Sequence, residues 1–191
     1  MVDICNIKSN ECLNRAADII KNGGVVVYPT DTLYGFGVDA TNDRAINRLA
    51  QLKERGGPWS IVVADFKMIE LYCDISKDKK EFITSNLPGK VTLILSVKDS
   101  PLSRDILSEE GTVGIRIPEH PFPIKLVKEL GYPITTTSVN RTGEVCMNDP
   151  HKIAQEFGER IDMIVDDGPL IPSTGSRIYD VSSDEIKILR N

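Results

Sequence analysis

The chain has 191 residues, with 23 lysines and arginines against 28 aspartates and glutamates, which gives a formal net charge of −5. This length suits a single domain, and the acidic balance argues against a constitutively basic nucleic-acid binder, so any phosphate-binding site must be local. A hydrophobic share of 40% and a charged share of 27% exclude a disordered or collagen-like chain.

The chain begins with a helix pattern followed by a strand pattern. Apolar residues spaced at i, i+3, i+4 and i+7 from Leu13 predict an amphipathic helix, with Ser9 or Asn10 as its cap and a glycine pair at its end. A β-branched apolar run over 25–28 then predicts a buried strand.

The same alternation continues to the end of the chain. Asn42 is expected to cap a second helix that ends at Lys53. The other predicted helices cover 65–71, 78–86, 121–130 and 151–158. The other predicted strands cover 61–64, 91–97, 113–117, 134–137, 161–165, 178–181 and 186–189. This alternation, with no internal repeat and no break in composition, predicts a single α/β domain with a mixed sheet.

The cysteine and histidine content excludes the common metal and redox motifs. The four cysteines form no CxxC pair and there are two histidines, so we expect reduced thiols and no metal bound by protein side chains. No apolar run approaches the roughly 18 residues of a membrane helix, and the first ten residues lack the pattern of a signal peptide. These features predict a cytoplasmic protein with no membrane association.

The common nucleotide-binding motifs are missing or misplaced. There is no GxxxxGK[ST] sequence, which excludes a P-loop. Gly35, Gly37 and Ala40 fit GxGxxA, but the first glycine lies seven residues after the predicted end of a strand instead of in the turn that opens a helix. A bend in a loop explains these glycines better than a dinucleotide fold does.

The segment over 29–35, with the sequence PTDTLYG, follows directly after a predicted buried strand, where α/β proteins often bind ligands. Thr32 is a candidate contact for a small polar substrate. In the alternative interpretation, Thr30 and Asp31 form turns that satisfy only their own backbone. The residues alone leave both interpretations open.

Lys53 and Arg55 lie just before a glycine pair and Trp59. Two cations beside a flexible glycine pair can bind a polyphosphate, because arginine offers a planar fork of donors and lysine a compact charge. The alternative is a solvated helix C-terminus, where cations are favourable in any protein.

Polar residues also interrupt two predicted strands. Alternation places Thr136, Ser138 and Asn140 on one face, while the opposite face carries further hydroxyls. A second strand has Thr112, Gly114 and Arg116 at alternate positions. A lone strand arginine is more often an edge or salt-bridged residue than a ligand contact, although the missing side chain at Gly114 would let a ligand approach the backbone. Each unpartnered polar group in a core costs about 1–3 kcal/mol, so a ligand or neighbouring backbone must satisfy these groups. The strand ends are therefore expected to form a cavity lined with hydroxyl and guanidinium groups.

Together, these segments resemble the YrdC-like family, the threonylcarbamoyl-AMP synthases. The resemblance extends over nearly the whole chain and rests on the order and spacing of seven motifs: 29–35, Lys53-x-Arg55, 88–92, 113–118, 137–143, 176–180 and 188–190. It implies a single YrdC-like domain over residues 1–191, in which a twisted mixed parallel and antiparallel sheet, flanked by helices, surrounds a concave cavity.

The resemblance also implies an activity. Members of this family are nucleotidyltransferases that join L-threonine, bicarbonate or CO₂, and ATP, with Mg²⁺, into threonylcarbamoyl-AMP and pyrophosphate. The product feeds the transferase machinery that modifies adenosine in certain tRNAs. The same partners are expected for this chain.

Site residues follow from the resemblance position by position. The L-threonine site is expected at Thr32, Arg116, Thr136 and Ser176. The ATP site is expected at Arg55, Thr112, Ser138 and Arg190. The catalytic group is expected to be Lys53, Arg55, Ser138 and Asn140, which would act by positioning and electrostatics because the family uses no evident side-chain base.

Three sites depart from the family pattern. Trp59 and Ser60 stand where a Lys-Pro pair is usual, Ala64 where a histidine is frequent, and Arg177 where a small hydroxyl residue is usual. One phosphate-contacting cation is therefore missing, and the catalytic rate and preferred amino acid are in question. Lys53, Arg55 or Lys67 would have to compensate for the missing cation.

Two other functions remain open from the sequence. One is an RNA-binding module for tRNA or double-stranded RNA, against which the net negative charge counts. The other is a non-catalytic nucleotide-binding relative that acts as a regulator, with Trp59 and Ala64 as marks of lost catalysis.

Overall fold

The computed structural model describes residues 2–191, and in that part of the chain the strands form two mixed sheets. The strands of the first sheet are β1 (Asp3–Asn6), β2 (Val26–Pro29), β3 (Tyr34–Gly37), β8 (Thr137–Ser138) and β9 (Met163–Asp166). Their order is β1-β9-β2-β3-β8, with β9 parallel to both neighbours and β3 antiparallel to both of its own.

The second sheet is built from the middle and the end of the chain. Its strands are β4 (Ile61–Val62), β5 (Val91–Ser96), β6 (Thr112–Arg116), β7 (Ile134–Thr135), β10 (Arg177–Asp180) and β11 (Lys187–Arg190). Their order is β11-β10-β5-β6-β4-β7, in which parallel and antiparallel pairs alternate. The predicted mixed α/β class is confirmed, with the strands divided between two sheets.

The helices follow the predicted pattern closely. They are α1 (Cys12–Lys21), α2 (Asp43–Lys53), α3 (Phe66–Tyr72), α4 (Lys80–Asn86), α5 (Pro121–Leu130) and α6 (Pro150–Phe157), with a short 3₁₀ helix at Arg104–Ile106. Within residues 2–191, no helix is both long enough and apolar enough to cross a lipid bilayer.

Helix capping confirms one prediction and corrects another. The Asn42 side chain accepts hydrogen bonds from the first turn of α2, as expected of a capping residue. Helix α1, by contrast, begins after Glu11, which makes no side-chain capping bond. Ser9 lies in the turn before the helix, where its backbone carbonyl accepts a hydrogen bond from the N–H of Cys12. The proposed caps Ser9 and Asn10 were therefore wrong, because a local turn lies between them and the helix.

Strands β1 and β3 were absent from the sequence prediction. Strand β1 has little apolar character and gains its pairing from β9, which lies far away in sequence. Strand β3 falls in the segment that the sequence suggested was a loop with a glycine bend. A Cβ atom at Gly37 would lie 2.5 Å from the ring of Tyr28, so this glycine permits close strand packing.

The predicted strand over 134–137 is divided at Thr136. The Thr135 N–H donates to the carbonyl of Val38, and the Thr136 N–H donates to the carbonyl of Ser60 at 2.7 Å. Ile134 and Thr135 pair with β4 of the second sheet, whereas Thr137 and Ser138 pair with β3 of the first, so the chain passes between the sheets at Thr136. The larger apolar core includes side chains of both sheets, such as Phe36 and Ile115.

Candidate functional site

A polar cavity of about 240 Å³ lies where the two sheets meet. Its wall is rich in hydroxyl groups and contains three arginines but no carboxylate: Thr30, Thr32, Leu33, Tyr34, Gly35, Arg55, Ser60, Thr92, Arg116, Thr136, Thr137, Ser138, Cys146, Thr174, Gly175, Ser176, Ile178 and Arg190. An acidic chain therefore carries a local cationic pocket, which is suited to an anionic ligand.

The loop between β2 and β3 combines both interpretations of its sequence. The Thr30 hydroxyl accepts the N–H groups of Thr32 and Leu33 at 3.1 Å and donates to the Leu33 carbonyl at 2.7 Å. Thr30 thus satisfies the turn, as the local interpretation expects. The Thr32 side chain is left to line the cavity, as the ligand interpretation expects.

Arg116 reaches the same loop from the end of β6. Its guanidinium donates to the Asp31 carboxylate at 2.6 Å and to the Thr32 hydroxyl at 3.1 Å. The side chains of Arg116 and Asp31 are 7% and 6% exposed, so this is a buried ion pair. The Nε–H of Arg116 has no hydrogen-bond partner among the described residues. Asp31 was assigned no part in the predicted site, although its carboxylate determines where Arg116 lies.

Lys53 lies behind the cavity wall. Its ammonium group donates to the Ser138 carbonyl at 2.8 Å and to the Asn140 side-chain oxygen at 2.7 Å. The Ser138 hydroxyl donates to that same oxygen at 2.7 Å. Burial, with a smaller contribution from the nearby Arg55 charge, lowers the pKa of Lys53 to about 8. Of the predicted catalytic group, Arg55 and Ser138 line the cavity, whereas Lys53 and Asn140 hold Ser138 from behind.

Arg190 and Ser176 join the cavity from the end of the chain. The Arg190 guanidinium donates to the Ser176 carbonyl at 2.6 and 2.8 Å. The Ser176 hydroxyl lies 2.6 Å from that of Thr92, which belongs to the 88–92 motif but not to the predicted site residues. The available signal for Thr92 was a hydroxyl residue directly before the apolar run of β5.

Thr112 is the one predicted site residue that lies in a different cavity. Its hydroxyl is 2.9 Å from that of Ser108, and it lines a smaller space of about 120 Å³ together with Trp59 and Gly114. Ser60, Thr92 and Ile178 line both spaces, so the two cavities adjoin. The polar face of β6 therefore extends beyond the main cavity, with Arg116 lining the main cavity and Thr112 and Gly114 lining the smaller one.

The three departures from the family pattern have different surroundings. Trp59 is buried, and its ring lies 4.1 Å from the Arg55 guanidinium carbon. Ala64 is buried in the apolar cluster formed with α1 and α5. Arg177 and Lys67 are exposed, and neither lines the main cavity. Lys67 is therefore poorly placed to replace a missing cation, whereas Arg55 is well placed.

Comparison with known proteins agrees with this architecture. The family model Sua5_yciO_yrdC, described as "Telomere recombination", matches residues 18–191. A Bacillus subtilis protein named threonylcarbamoyl-AMP synthase is 31% identical over 179 residues, which are 92% of this chain and 52% of that protein. The chain thus spans about half the length of that relative.

Two solved structures extend the comparison. P. abyssi Sua5 in complex with L-threonine is 27% identical with a TM-score of 0.89, over 100% of this chain and 57% of that one. E. coli YciO shares the fold at 24% identity with a TM-score of 0.90, over 100% of this chain and 96% of its own. Because the family match covers nearly the whole sequence, the protein belongs to the Sua5/YciO/YrdC family.

Proposed function

We propose that this protein is a threonylcarbamoyl-AMP synthase, which forms threonylcarbamoyl-AMP and pyrophosphate from L-threonine, bicarbonate or CO₂, and ATP. The observation that carries the proposal is a single cavity in which buried hydroxyls and three guanidinium groups converge from distant segments of the chain. The name of the B. subtilis relative and the threonine bound to P. abyssi Sua5 support it.

L-Threonine would bind against Arg116 and its neighbouring hydroxyls. The Arg116 guanidinium, held in place by Asp31, presents a planar cation to the amino-acid carboxylate. Thr32, Thr136 and Ser176 line the same cavity and offer hydroxyl donors and acceptors for the polar groups of the amino acid.

ATP would bind with its phosphates toward Arg55, Ser138 and Arg190, and Thr112 would contact it from the adjoining cavity. Among residues 2–191, no group of three or more His, Cys, Asp or Glu side chains is arranged to hold a metal ion. Mg²⁺ prefers oxygen ligands and often keeps its phosphate ligands and waters, so it would enter as part of the nucleotide substrate.

The chemistry would proceed by attack of a carbamate on the α-phosphorus. The threonine amine forms a bond to the carbon of CO₂ and releases a proton, and a carbamate oxygen then displaces pyrophosphate. Two anions must meet in this step, so the arginines would screen their repulsion and stabilise the departing pyrophosphate. Lys53 and Asn140 would act as positioning residues by fixing Ser138. The labile product would pass to a transferase that modifies tRNA.

The decisive experiment incubates the protein with ATP, Mg²⁺, bicarbonate and isotopically labelled L-threonine and identifies the product by mass spectrometry. The proposal predicts a labelled AMP adduct, and pyrophosphate release that stops when either threonine or bicarbonate is omitted. ATP consumption that is indifferent to threonine would reject it. Nucleotide binding without turnover would favour a regulator, and tRNA binding with a steep salt dependence would favour an RNA-binding module.

Cys146 provides an independent measure of cavity occupancy. It lines the cavity and is half-buried, whereas Cys5, Cys12 and Cys73 are 5%, 0% and 0% exposed. Burial raises the pKa of Cys12 and Cys73 to about 12, which makes these thiols unreactive. We expect iodoacetamide to modify Cys146 first, and a ligand at ten times its Kd to slow the reaction about 10-fold.

Peptide mass spectrometry measures this alkylation at each cysteine. The Cys146→Ser variant is the control and should take up little label over the same period. Equal rates with and without ATP and threonine, under conditions where both bind, would contradict the placement of the ligands in this cavity.

A further inference from the structure

Arg55 is the one cavity arginine whose guanidinium stacks on an aromatic ring. It follows the end of α2, and its charged group lies 4.1 Å from the centre of the Trp59 ring. It donates one hydrogen bond, to the Gly56 carbonyl at 2.7 Å, and takes part in none of the ion pairs among the described residues. An aromatic face attracts a guanidinium without occupying its N–H donors. Most of the donors of Arg55 therefore remain free for a ligand.

Trp59 itself is held firmly in place. It is 2% exposed, and its backbone N–H donates to the Ile106 carbonyl at 3.0 Å. Just before it, a Cβ atom at Gly57 would lie 2.3 Å from the Asp105 carbonyl oxygen, so the backbone passes very close to the 3₁₀ helix. The ring is thus a fixed surface against which the flexible Arg55 side chain can rest.

The indole N–H takes no part in this anchoring. It is buried and has no acceptor among the described residues. Phenylalanine at this position would keep an aromatic face while losing the unpaired donor and part of the ring volume, whereas leucine would keep an apolar side chain and remove the face. These two substitutions therefore separate the effect of the ring face from that of burial alone.

We propose that Trp59 is a positioning residue that presents Arg55 to the phosphate groups of the nucleotide, in place of a second cation. This inference rests on the proposed function for the identity of the ligand. It explains how a chain with tryptophan at this position can still bind a polyphosphate: the aromatic side chain adds no charge but orders the charge already present. Because Trp59 is the only tryptophan of the chain, its fluorescence should also report the binding.

The kinetic test compares Trp59→Leu with Trp59→Phe. Loss of the cation–π contact is expected to raise the KM for ATP roughly 5- to 30-fold in Trp59→Leu, with the KM for L-threonine unchanged. Trp59→Phe should stay within about 3-fold of the wild type, because it keeps the face. Equal KM values for ATP in the two variants, or a parallel rise in the KM for threonine, would overturn the proposal.

The spectroscopic test needs neither turnover nor a substituted tryptophan. Pyrophosphate, titrated into the wild-type protein, is expected to change Trp59 emission, and Arg55→Gln should abolish the change. Binding that calorimetry detects without a change in emission, an unaltered response in Arg55→Gln, or no pyrophosphate binding at all would each overturn the proposal. Failure of the proposed function would appear separately, as an absence of threonine-dependent pyrophosphate release.

Discussion

Replacing Asp31 with alanine is expected to lower the free energy of unfolding by about 3–5 kcal/mol, because Arg116 would remain charged and buried without its partner. The two groups are 2.6 Å apart and nearly inaccessible to water. The Asp31 carboxylate also accepts the Glu119 N–H at 3.2 Å, so the substitution removes a second contact from the loop after β6. Urea denaturation followed by circular dichroism measures the change.

The exposed pair between Lys80 and Glu70 provides the matched control. Its partners lie 3.2 Å apart with side chains 59% and 46% exposed. Surface pairs of this kind contribute up to about 1 kcal/mol, so Glu70→Ala should change stability little. The KM for L-threonine should rise in Asp31→Ala and stay constant in Glu70→Ala. Similar unfolding free energies for the two variants would show that burial of the Arg116 pair has no energetic consequence.

Replacing Lys53 with methionine is expected to lower kcat about 100-fold, a loss comparable to that of one preorganised donor in an active site. The methionine can occupy the buried channel of the lysine stem but cannot donate to the Ser138 carbonyl or to Asn140. The Ser138 hydroxyl would then lose its fixed direction. Lys67→Met, on the exposed surface of α3, is the control and should retain activity.

The pH dependence distinguishes this role from simple packing. Since the pKa of Lys53 is lowered to about 8, its ammonium group loses its proton as the pH rises through that value, and wild-type activity should fall there. The fall in activity at alkaline pH should be missing from the pH–activity profile of Lys53→Met. An unchanged fall in the variant would mean that another group controls it.

Stability gives a second readout of the same proton. Between pH 8 and 10.5 the unfolded chain holds the Lys53 proton and the folded chain does not. The free energy of unfolding of the wild type should therefore rise, relative to that of Lys53→Met, as the pH increases across this range. A constant difference between the two proteins would contradict the lowered pKa.

Local signals in the sequence predicted most of the fold. The Asn42 cap, the bounds of α5 and the run of β5 all depend on residues adjacent in the chain. Strand β1 depends on pairing with a partner about 160 residues away, for which its own residues carry no pattern. The glycines of β3 resembled a loop because the ring that Gly37 accommodates belongs to Tyr28 of the neighbouring strand.

The sequence predicted which residue types line the candidate site, but not which of those residues lie behind the cavity wall. Alternation and resemblance selected Thr32, Arg116 and Ser138, which do meet in one cavity. They could not show that Lys53 lies behind the wall, because that depends on how far α2 sits from the β8 segment. Nor could they show that Asp31 faces Arg116, a contact between residues 85 positions apart.

The passage of the backbone from one sheet to the other at Thr136 has a consequence for partial unfolding of the protein. The binding cavity lies between the two sheets, and their strands are interleaved along the chain, so that any contiguous fragment containing one complete sheet also contains strands of the other. Partial unfolding that separates the two sheets would therefore abolish the cavity and ligand binding together, with no gradual loss of affinity. Ligand binding and the packing of the two sheets against each other are therefore expected to be lost together on unfolding and regained together on refolding.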